Sequence, residues 1–252
     1  MSDLTGDGHA GQMHLVRSGN VEVVHPGTGG LRITEPSLLL YPRPTPHHFV
    51  TDPETGAEFA CAHLHFTGGA AHPIAAALPA VVCLPLARME GAQATLALLF
   101  EEAFEQRCGR QALLDRLFEV VLIQVLRELM DQGRAGVGML AGLAHPQLRL
   151  AIVAMHETPQ TDWTLDSLAA RAGMSRSVFA SQFRETVGCT PGVYLQRWRV
   201  GLAQRALRLG RPLKLIAQEV GYGSEAALSR AFKAQSGLSP RDWKQSRQAL
   251  PA

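Results

Sequence analysis

The chain lacks the features that mark secreted and membrane proteins. It has four cysteines among 252 residues, and no two of them have the C-x-x-C spacing, so the sequence does not describe a disulfide framework. No positively charged start is followed by a short apolar stretch, and no apolar run is long enough to span a bilayer. These absences predict a cytoplasmic protein with no membrane partner.

Charge is unevenly distributed along the chain, although the net charge is only +2. From His145 to the end there are fifteen Lys or Arg residues and seven Asp or Glu residues, whereas residues 1–144 have nine and fifteen. A basic segment beside an acidic one indicates that only the carboxy-terminal part faces a polyanion. Two composition zones in a chain of this length also indicate two domains.

An internal repeat occupies the basic segment. The first copy runs from 165 to 194 and the second from 213 to 243, with a one-residue slip in the turn between two short helices. The matching positions are Leu165, Leu168, Ala169, Ala172, Phe183, Gly188, Pro191 and Tyr194 in the first copy and Leu213, Ile216, Ala217, Val220, Phe232, Gly237, Pro240 and Trp243 in the second. A repeat of this kind is more informative than any single motif.

Each copy has the pattern of a helix-turn-helix. A short amphipathic helix ends at Gly173 or Gly221, which can adopt the left-handed conformation that closes a helix. Ser175 or Ser224 then follows as a cap for the next helix. An ordinary helical hairpin is the alternative, and two copies in register weaken it. The apolar residues that the second helices are predicted to bury are Val178, Phe179 and Phe183, then Ala227, Leu228 and Phe232.

Residues 191–209 lie between the copies and predict one long helix with arginines opposite an apolar stripe. The stripe contains Leu195, Trp198, Leu202, Ala206 and Leu209. Nineteen residues at ~1.5 Å per residue span ~28 Å, close to the ~34 Å between successive major grooves on one face of DNA. A single subunit is therefore expected to place one recognition helix in each of two adjacent grooves.

These features resemble the AraC/XylS family of bacterial transcription regulators, over about residues 146–247. The resemblance implies an all-α domain at 139–252 with two helix-turn-helix units, double-stranded DNA as its partner, and RNA polymerase as a further partner of an activator. It also implies which residues contact DNA: Arg176, Ser177, Ala180, Ser181 and Arg184, then Ser224, Glu225, Ala226, Ser229, Arg230 and Lys233. Ala180 and Ala226 depart from the larger polar residues that some members of the family carry, and an alanine can contact a thymine methyl group.

Residues 1–90 have short alternating runs separated by Gly and Pro, which predict an all-β sandwich or barrel. The runs are Met13–Val16, Val21–Val24, Leu31–Ile33, Ser37–Tyr41 and Glu58–Phe66. The segments 38–48, 61–66 and 72–79 resemble the cupin-type sensor domain of one branch of that family. The resemblance implies an α+β chain with a cupin-like β-barrel that binds an unknown small-molecule effector.

Members of that branch usually have a further strand or two ahead of the segment near His14. We therefore expect either a late start or an incomplete barrel, with residues 1–11 disordered.

Residues 91–138 predict two amphipathic helices, at 95–104 and 111–130, and then a glycine-rich linker. The second helix is apolar over more than half of its circumference, which favours a homodimer interface. The residues assigned to this interface are Leu117, Val121, Gln124, Val125 and Glu128. The alternative is that both helices fold entirely onto their own barrel.

A group of Cys and His residues is a candidate metal site. Cys61, His63 and His65 are spaced by two, so they share one face of a strand. His47 and His48 are expected at the end of a neighbouring strand. Thiolate and imidazole ligands suit Zn²⁺, although no cofactor is required. The alternative is a buried cysteine with solvated or pocket-lining histidines.

The sequence predicts a regulator and not an enzyme. A metal-dependent cupin enzyme joined to a DNA-binding module is the first alternative, but a cupin oxygenase usually has a carboxylate shortly after its His-x-His, and residues 66–71 contain none. A redox sensor joined to the same module is the second alternative. No basic residue near Cys61 in sequence would lower the pKa of its thiol.

Overall fold

The computed structural model describes residues 10–66, 72–134 and 136–248. The chain divides into two compact units, Met1–Gly136 and Val137–Ala252. Most of the opening segment that was expected to be disordered lies outside the described residues, as do residues 67–71, where a cupin carboxylate was sought. Gly11 is described, and it begins the first strand.

Within its described residues, the first unit has seven antiparallel strands in two sheets. The strands are β1 (Gly11–Ser18), β2 (Val21–His25), β3 (Thr28–Ile33), β4 (Ser37–Tyr41), β5 (His48–Thr51), β6 (Glu58–Leu64) and β7 (Val82–Pro85). One sheet has the order β6-β1-β4-β7 and the other has the order β3-β2-β5. His14 of β1 pairs with Leu39 of β4 on one side and with Cys61 of β6 on the other.

Three α-helices in the described part of this unit follow the strands or lie between them. They are α1 (Pro73–Ala77), α2 (Gln93–Phe104) and α3 (Arg110–Asp131), with short 3-10 turns at Leu86–Arg88 and Glu90–Ala92. Helices α2 and α3 run antiparallel and pack together. Arg110 donates from Nε to the carbonyl of Glu102 at 3.0 Å, and Gln124 donates to the carbonyl of Gly91 at 2.8 Å.

The apolar core of the first unit lies on both faces of β1. Val16 packs with Val21 and Val23 of the other sheet, so the two sheets face each other. Side chains alternate along a strand, and Met13 and Leu15 therefore point to the opposite face, where they are also fully buried.

The described strands do not close into the expected barrel. They form two separate sheets, whose edge strands are β6, β7, β3 and β5. Apolar and polar residues alternate in the same way in a barrel and in two packed sheets, so the sequence pattern cannot distinguish them.

The residues that were predicted to form a dimer interface lie against their own unit. Leu117, Val121 and Val125 are buried, and Glu128 is half-buried beside Gln132. Gln124 makes the hydrogen bond to Gly91 that joins α3 to the segment before α2. Leu117, Val121 and Val125 are therefore not available for an interface, because their own unit buries them. A helix with so wide an apolar surface has more than one apolar row, and the prediction chose the row that is buried. A homodimer stays a prediction.

A different row of α3 is exposed and apolar. Leu113, Val120 and Ile123 lie on this row, with 39%, 42% and 50% of their surfaces exposed. Their spacing of seven and three residues places them on one side of the helix. This row, Leu113–Val120–Ile123, is called the outer row of α3 below.

The second unit is entirely helical in its described residues. Its helices are α4 (Met139–Ala144), α5 (Leu148–Glu157), α6 (Leu165–Arg171), α7 (Arg176–Val187), α8 (Pro191–Arg208), α9 (Leu213–Glu219), α10 (Glu225–Ser236) and α11 (Pro240–Gln248). The long helix predicted between the repeats is α8. Its buried residues in the second half are Val200, Ala203 and Leu207, whereas Leu209 is 74% exposed and not part of the buried face.

We expect Val125→Ala to destabilise the first unit without changing its assembly. Val125 is fully buried, and removing its two methyl groups should lower the free energy of unfolding by about 1–3 kcal/mol. Denaturant unfolding followed by far-UV circular dichroism measures this change. Asp115→Ala, exposed on another side of the same helix, is the control and should change stability by less than about 0.5 kcal/mol. An equal loss in both variants would contradict the burial of Val125.

Candidate functional site

The first helix pair consists of α6 and α7. Thr164 caps α6 in a reciprocal arrangement with Ser167, in which each side chain accepts a hydrogen bond from the backbone N–H of the other residue. Gly173 has φ +64° in the turn, as its position in the sequence predicted. Ser175 then caps α7 by accepting from the N–H of Val178 at 3.5 Å. The result is a second helix that begins at a fixed point and presents one face to the core.

The second pair, α9 and α10, repeats this design. Gly221 has φ +84° in its turn, and Ser224 accepts from the N–H of Ala227 at 3.2 Å. Both second helices end at glycines with positive φ, Gly188 and Gly237. Gly173, Gly221 and the two serine caps confirm the turn chemistry that was predicted from the repeat.

Aromatic side chains on α7 and α10 anchor the two helices. Phe179, Phe183 and Phe232 are fully buried. Phe183 meets Tyr194 edge-on at 5.6 Å, and Phe232 meets Trp243 in the same manner at 5.7 Å. Leu228 is also buried as predicted. Because these anchors occupy one side of each helix, the opposite side faces solvent.

The residues that the family resemblance assigns to DNA contact lie on this outer side. All of them except Ala180 and Ser229, which are half-buried, are exposed: Arg176, Ser177, Ser181, Arg184, Ser224, Glu225, Ala226, Arg230 and Lys233. Ser224 is already engaged as the cap of α10.

The first pair carries acidic residues that the sequence interpretation did not consider. Arg176 forms an ion pair with Asp166 of α6 at 3.4 Å, with both side chains about two-thirds exposed. Ser181 donates to Glu185 at 2.8 Å, four residues later on the same helix. The second contact was visible in the sequence as an i,i+4 pair, whereas the first requires the turn between the helices. Among the described residues, Arg230 and Lys233 of the second pair form no ion pair.

Val178 was predicted to be buried, but 46% of its surface is exposed. It lies one residue before Phe179, and one residue corresponds to a rotation of about 100° around the helix. The apolar stripe of α7 therefore turns away from it, and Val178 adds an apolar group to the outer side of the helix.

Helix α8 and helix α5 are joined through a histidine. His156 of α5 is within hydrogen-bond distance of the Tyr194 hydroxyl, 2.7 Å, and its ring stacks on Trp198 at 3.7 Å. Burial lowers the pKa of His156 to about 4. The imidazole is therefore neutral at pH 7, and this contact holds α5 against the helix that connects the two pairs.

The first unit contains a chain of polar contacts between its two sheets. The Nδ1 atom of His14 is 3.1 Å from Cys61 Sγ, and its Nε2 atom is 3.0 Å from Nε2 of His47. The Nδ1 atom of His47 is 2.8 Å from the carbonyl of Thr45. A carbonyl can only accept, so His47 donates to Thr45, His14 donates to His47, and Cys61 donates its S–H to His14. We call Cys61–His14–His47–Thr45 the thiol relay.

The electrostatics of the thiol relay favour its neutral form. Burial, with repulsion from His47 and then His63, lowers the pKa of His14 to about 3, and burial also lowers the pKa of His47. Burial of the sulfur atom raises the pKa of the Cys61 thiol to about 11. Cys61 lies on an edge strand, and the rest of the residue keeps contact with solvent. When the thiol and both imidazoles are neutral, each of them has the one proton that it donates in the thiol relay.

The relay extends to aromatic neighbours. The Tyr41 ring stacks on His47 at 4.0 Å, and its hydroxyl is 2.9 Å from Nε2 of His25. His14 and His25 were not among the predicted site residues. The pairing of β1 with β6, which places His14 beside Cys61, was the missing information.

The five residues predicted as metal ligands do not come together. The structure joins His47 and Cys61 only through His14, and His48, His63 and His65 are exposed. Cys61 and His63 lie on β6 and alternate with buried or half-buried residues, whereas His65 lies beyond the end of that strand. Within residues 10–66, 72–134 and 136–248, no three His, Cys, Asp or Glu side chains form a group that could hold a metal ion. Zinc binding at these residues stays a prediction.

Comparisons with known proteins agree with this geometry. A family model described as a cupin matches residues 3–131, about half of the chain. A second model, described as a helix-turn-helix domain, matches residues 168–246, a range that includes parts of both helix pairs.

Relatives of the chain carry names of transcription regulators. An AraC-like transcription regulator of Streptomyces antibioticus is 42% identical over 171 residues, which are 66% of this chain and 56% of the relative. A second AraC-like regulator, from Streptomyces lividans, is 39% identical over 66% of this chain and 56% of the relative. The HTH-type transcriptional regulator AlkR of Acinetobacter baylyi is 39% identical over 54% of this chain and 45% of the relative.

The fold and the exposed helix faces define a two-unit protein in which a helix-turn-helix domain follows a β-rich domain along the chain. The chain belongs to the cupin-containing AraC-type family of transcription regulators. It spans about half the length of the relatives that it matches. Among the described helices, none is both long enough and apolar enough to cross a bilayer.

We expect the second unit to lose stability in mild acid because of His156. The pKa of His156 falls from its ordinary 6.5 to about 4 in the folded state. Between these values the unfolded chain binds a proton that the folded chain does not, so the free energy of unfolding should fall by roughly 1–3 kcal/mol as the pH drops from 6.5 to 4.

Urea unfolding followed by tryptophan fluorescence measures this loss, because all three tryptophans lie in the second unit. His156→Gln should flatten the dependence on pH. His145→Asn, which keeps an acceptor at the start of α5, is the control and should leave it in place. A dependence that is equally steep in His156→Gln would contradict the assignment.

Proposed function

We propose that this protein is a sequence-specific transcription regulator that reads DNA with both helix pairs. The observation that carries the proposal is the repetition of one design: α7 and α10 each bury phenylalanines on one side and present polar residues on the other. The basic balance of the chain from His145 onward supplies attraction to phosphates. Family membership supports the same conclusion.

The two pairs are proposed to contribute unequally. Arg230 and Lys233 are exposed on α10 and are free to approach DNA. Arg176 of α7 must first break its ion pair with Asp166 before it can bind a phosphate or a base. The energy of an exposed ion pair is small, about 0–1 kcal/mol, so this exchange weakens the contact without preventing it. We therefore assign the larger share of direct base contact to α10.

We propose that the protein works as a homodimer that associates through the outer row of α3. Leu113, Val120 and Ile123 form an exposed aliphatic row on one side of a 22-residue helix. A two-fold axis near Val120 would pair this row with its own copy, as a self-complementary interface requires. Two copies of the chain would then present four helix pairs to DNA.

We propose the thiol relay as the site where a signal acts on the first unit. Its outer end is the solvent-accessible Cys61, and its inner end is the carbonyl of Thr45, which the buried His47 contacts. A small molecule, an oxidant or a metal ion that removes the S–H proton takes away the hydrogen bond that Nδ1 of His14 accepts. An event at the surface thiol therefore alters the contacts of the interior histidines.

A catalytic role for the first unit has less support. A metal-dependent cupin enzyme needs ligands that converge, whereas both nitrogens of His14 are engaged in the relay. We infer a binding protein and not an enzyme. Elemental analysis of protein purified without a histidine tag, together with an activity screen, distinguishes a regulatory site from an enzymatic metal centre.

We expect Arg230→Ala to weaken specific DNA binding by about 1–3 kcal/mol, because an arginine that reads a base makes a contribution of this size. The probe is a duplex selected by the full-length chain from a random library, and fluorescence anisotropy gives the affinity. Arg176→Ala should have a smaller effect, since this side chain is already paired with Asp166. Arg116→Ala removes the same charge from α3 and is the control. If the affinity is unchanged in both variants, the proposal that α7 and α10 contact the bases of DNA is refuted.

We expect Ile123→Glu to convert a dimer to a monomer while the second unit stays folded. A buried carboxylate at a two-fold axis would face its own copy, and both the loss of apolar contact and the repulsion oppose association. Analytical ultracentrifugation at micromolar concentration measures the change. Glu119→Gln, also exposed on α3, is the control and should remain dimeric. A wild-type chain that sediments as a monomer would refute the interface.

A further inference from the structure

Arg199 lies in the middle of α8 and holds the loop that precedes α6. Its Nε atom donates to the carbonyl of Pro159 at 2.7 Å, and its Nη2 atom donates to the carbonyl of Thr161 at 2.9 Å. The indole of Trp163 donates to the carbonyl of Thr158 at 3.0 Å and fixes the same loop from its other end. The planar guanidinium therefore joins the connecting helix to the first helix pair through two directed bonds.

The same guanidinium touches the turn of the second helix pair. It lies over the ring of Tyr222, 5.7 Å from the ring centre. A Cβ atom on Gly221 would come within 2.8 Å of Nη2 of Arg199 and within 2.8 Å of the Cα of Gln160. Only a residue without a side chain fits there, so the turn between α9 and α10 closes directly onto Arg199 and onto the loop of the first pair.

The corresponding turn of the first pair has no such contact. Gly173 has a similar backbone conformation, but a Cβ atom added there would have no neighbour within 4 Å among the described residues. The helix-capping role that both glycines share therefore does not explain the close packing at Gly221. That packing is specific to the junction between the two pairs.

We propose that Arg199, Gly221 and the loop Pro159–Thr161 form a latch that fixes the second helix pair relative to the first and thereby sets the operator spacing that one subunit accepts. Arg199 is a positioning residue in this proposal, since it acts through α7 and α10. The proposal rests on the proposed function, in which both pairs contact DNA.

The physical consequence of the latch is an effective concentration. When one recognition helix is bound, a rigid junction holds the other at a single distance and angle, which favours one spacing and penalises the rest. A loose junction spreads the second helix over many positions. Affinity for the preferred spacing then falls, and the penalty for a wrong spacing shrinks.

The test compares spacing profiles of the full-length chain and its variants. The probe is the duplex that the wild-type chain selects from a random library, together with versions that carry one or two extra base pairs between the two half-sequences. Two base pairs rotate the second half by about 70°. Wild-type protein should lose at least about a hundredfold in affinity on this insertion.

Arg199→Ala should bind the selected duplex roughly tenfold more weakly and lose only a fewfold more on insertion. Arg199→Lys should resemble it, since an ammonium group cannot make both directed bonds. Gly221→Ala should act in the same direction. Tryptophan fluorescence and circular dichroism identify variants that remain folded.

Two controls separate the latch from general effects. Arg197→Ala removes one charge from the same helix and should weaken binding to all probes by the same factor. Gly173→Ala introduces the same backbone strain without a clash and should keep the wild-type spacing profile. A wild-type profile in Arg199→Ala, or a broadened profile in either control, would overturn the proposal.

A second measurement remains valid if the wild-type chain selects no sequence at all, a result that would refute the proposed function. Spin labels at Ser181→Cys and Ala226→Cys, in a chain with its four native cysteines replaced by serine, report the distance between α7 and α10 by double electron–electron resonance. The wild-type junction should give one narrow distribution, and Arg199→Ala should broaden it. Equal widths would refute the latch independently of DNA binding.

Discussion

Helix α8 has to satisfy two cores at once, and the arrangement of the second unit follows from this constraint. Tyr194, near its start, meets Phe183 of α7, whereas Val200 and Ala203 in its second half are buried with Phe232 of α10. A helix that belongs to two cores cannot shift to improve one without disturbing the other. The orientation of both α7 and α10 is therefore set by one rigid helix, α8, which is about 27 Å long.

The sequence predicted the second unit well because its signals are local. Glycines in the turns and serines at the helix starts act within a few residues, and their spacing can be read without knowledge of the fold. The exposed position of Val178 and the ion pair between Arg176 and Asp166 could not be predicted in the same way. The first depends on how far the buried stripe rotates around α7, and the second on the angle between two helices.

The first unit was predicted less well because its site is made by strand pairing. The spacing of Cys61 and His63 predicted two neighbouring positions on one strand, but the partner of Cys61 is His14, 47 residues earlier in the chain. No local pattern specifies which strands become neighbours. The same limit explains why the strand pattern fitted both a sandwich and a barrel, and why the sequence did not show which apolar row of α3 is buried in its own unit.

The ion pair between Arg176 and Asp166 gives the first recognition helix a competitor inside the same molecule. In the proposed function, a DNA phosphate that approaches Arg176 displaces a carboxylate, so DNA of random sequence would gain less from this contact than from an unpaired arginine. Sequence-independent attraction supplies nearly all of the binding to non-specific DNA, and the many competing sites of a genome hold a regulator away from its target. The ion pair would therefore lower the affinity for those competing sites and leave more of the protein available for the specific one.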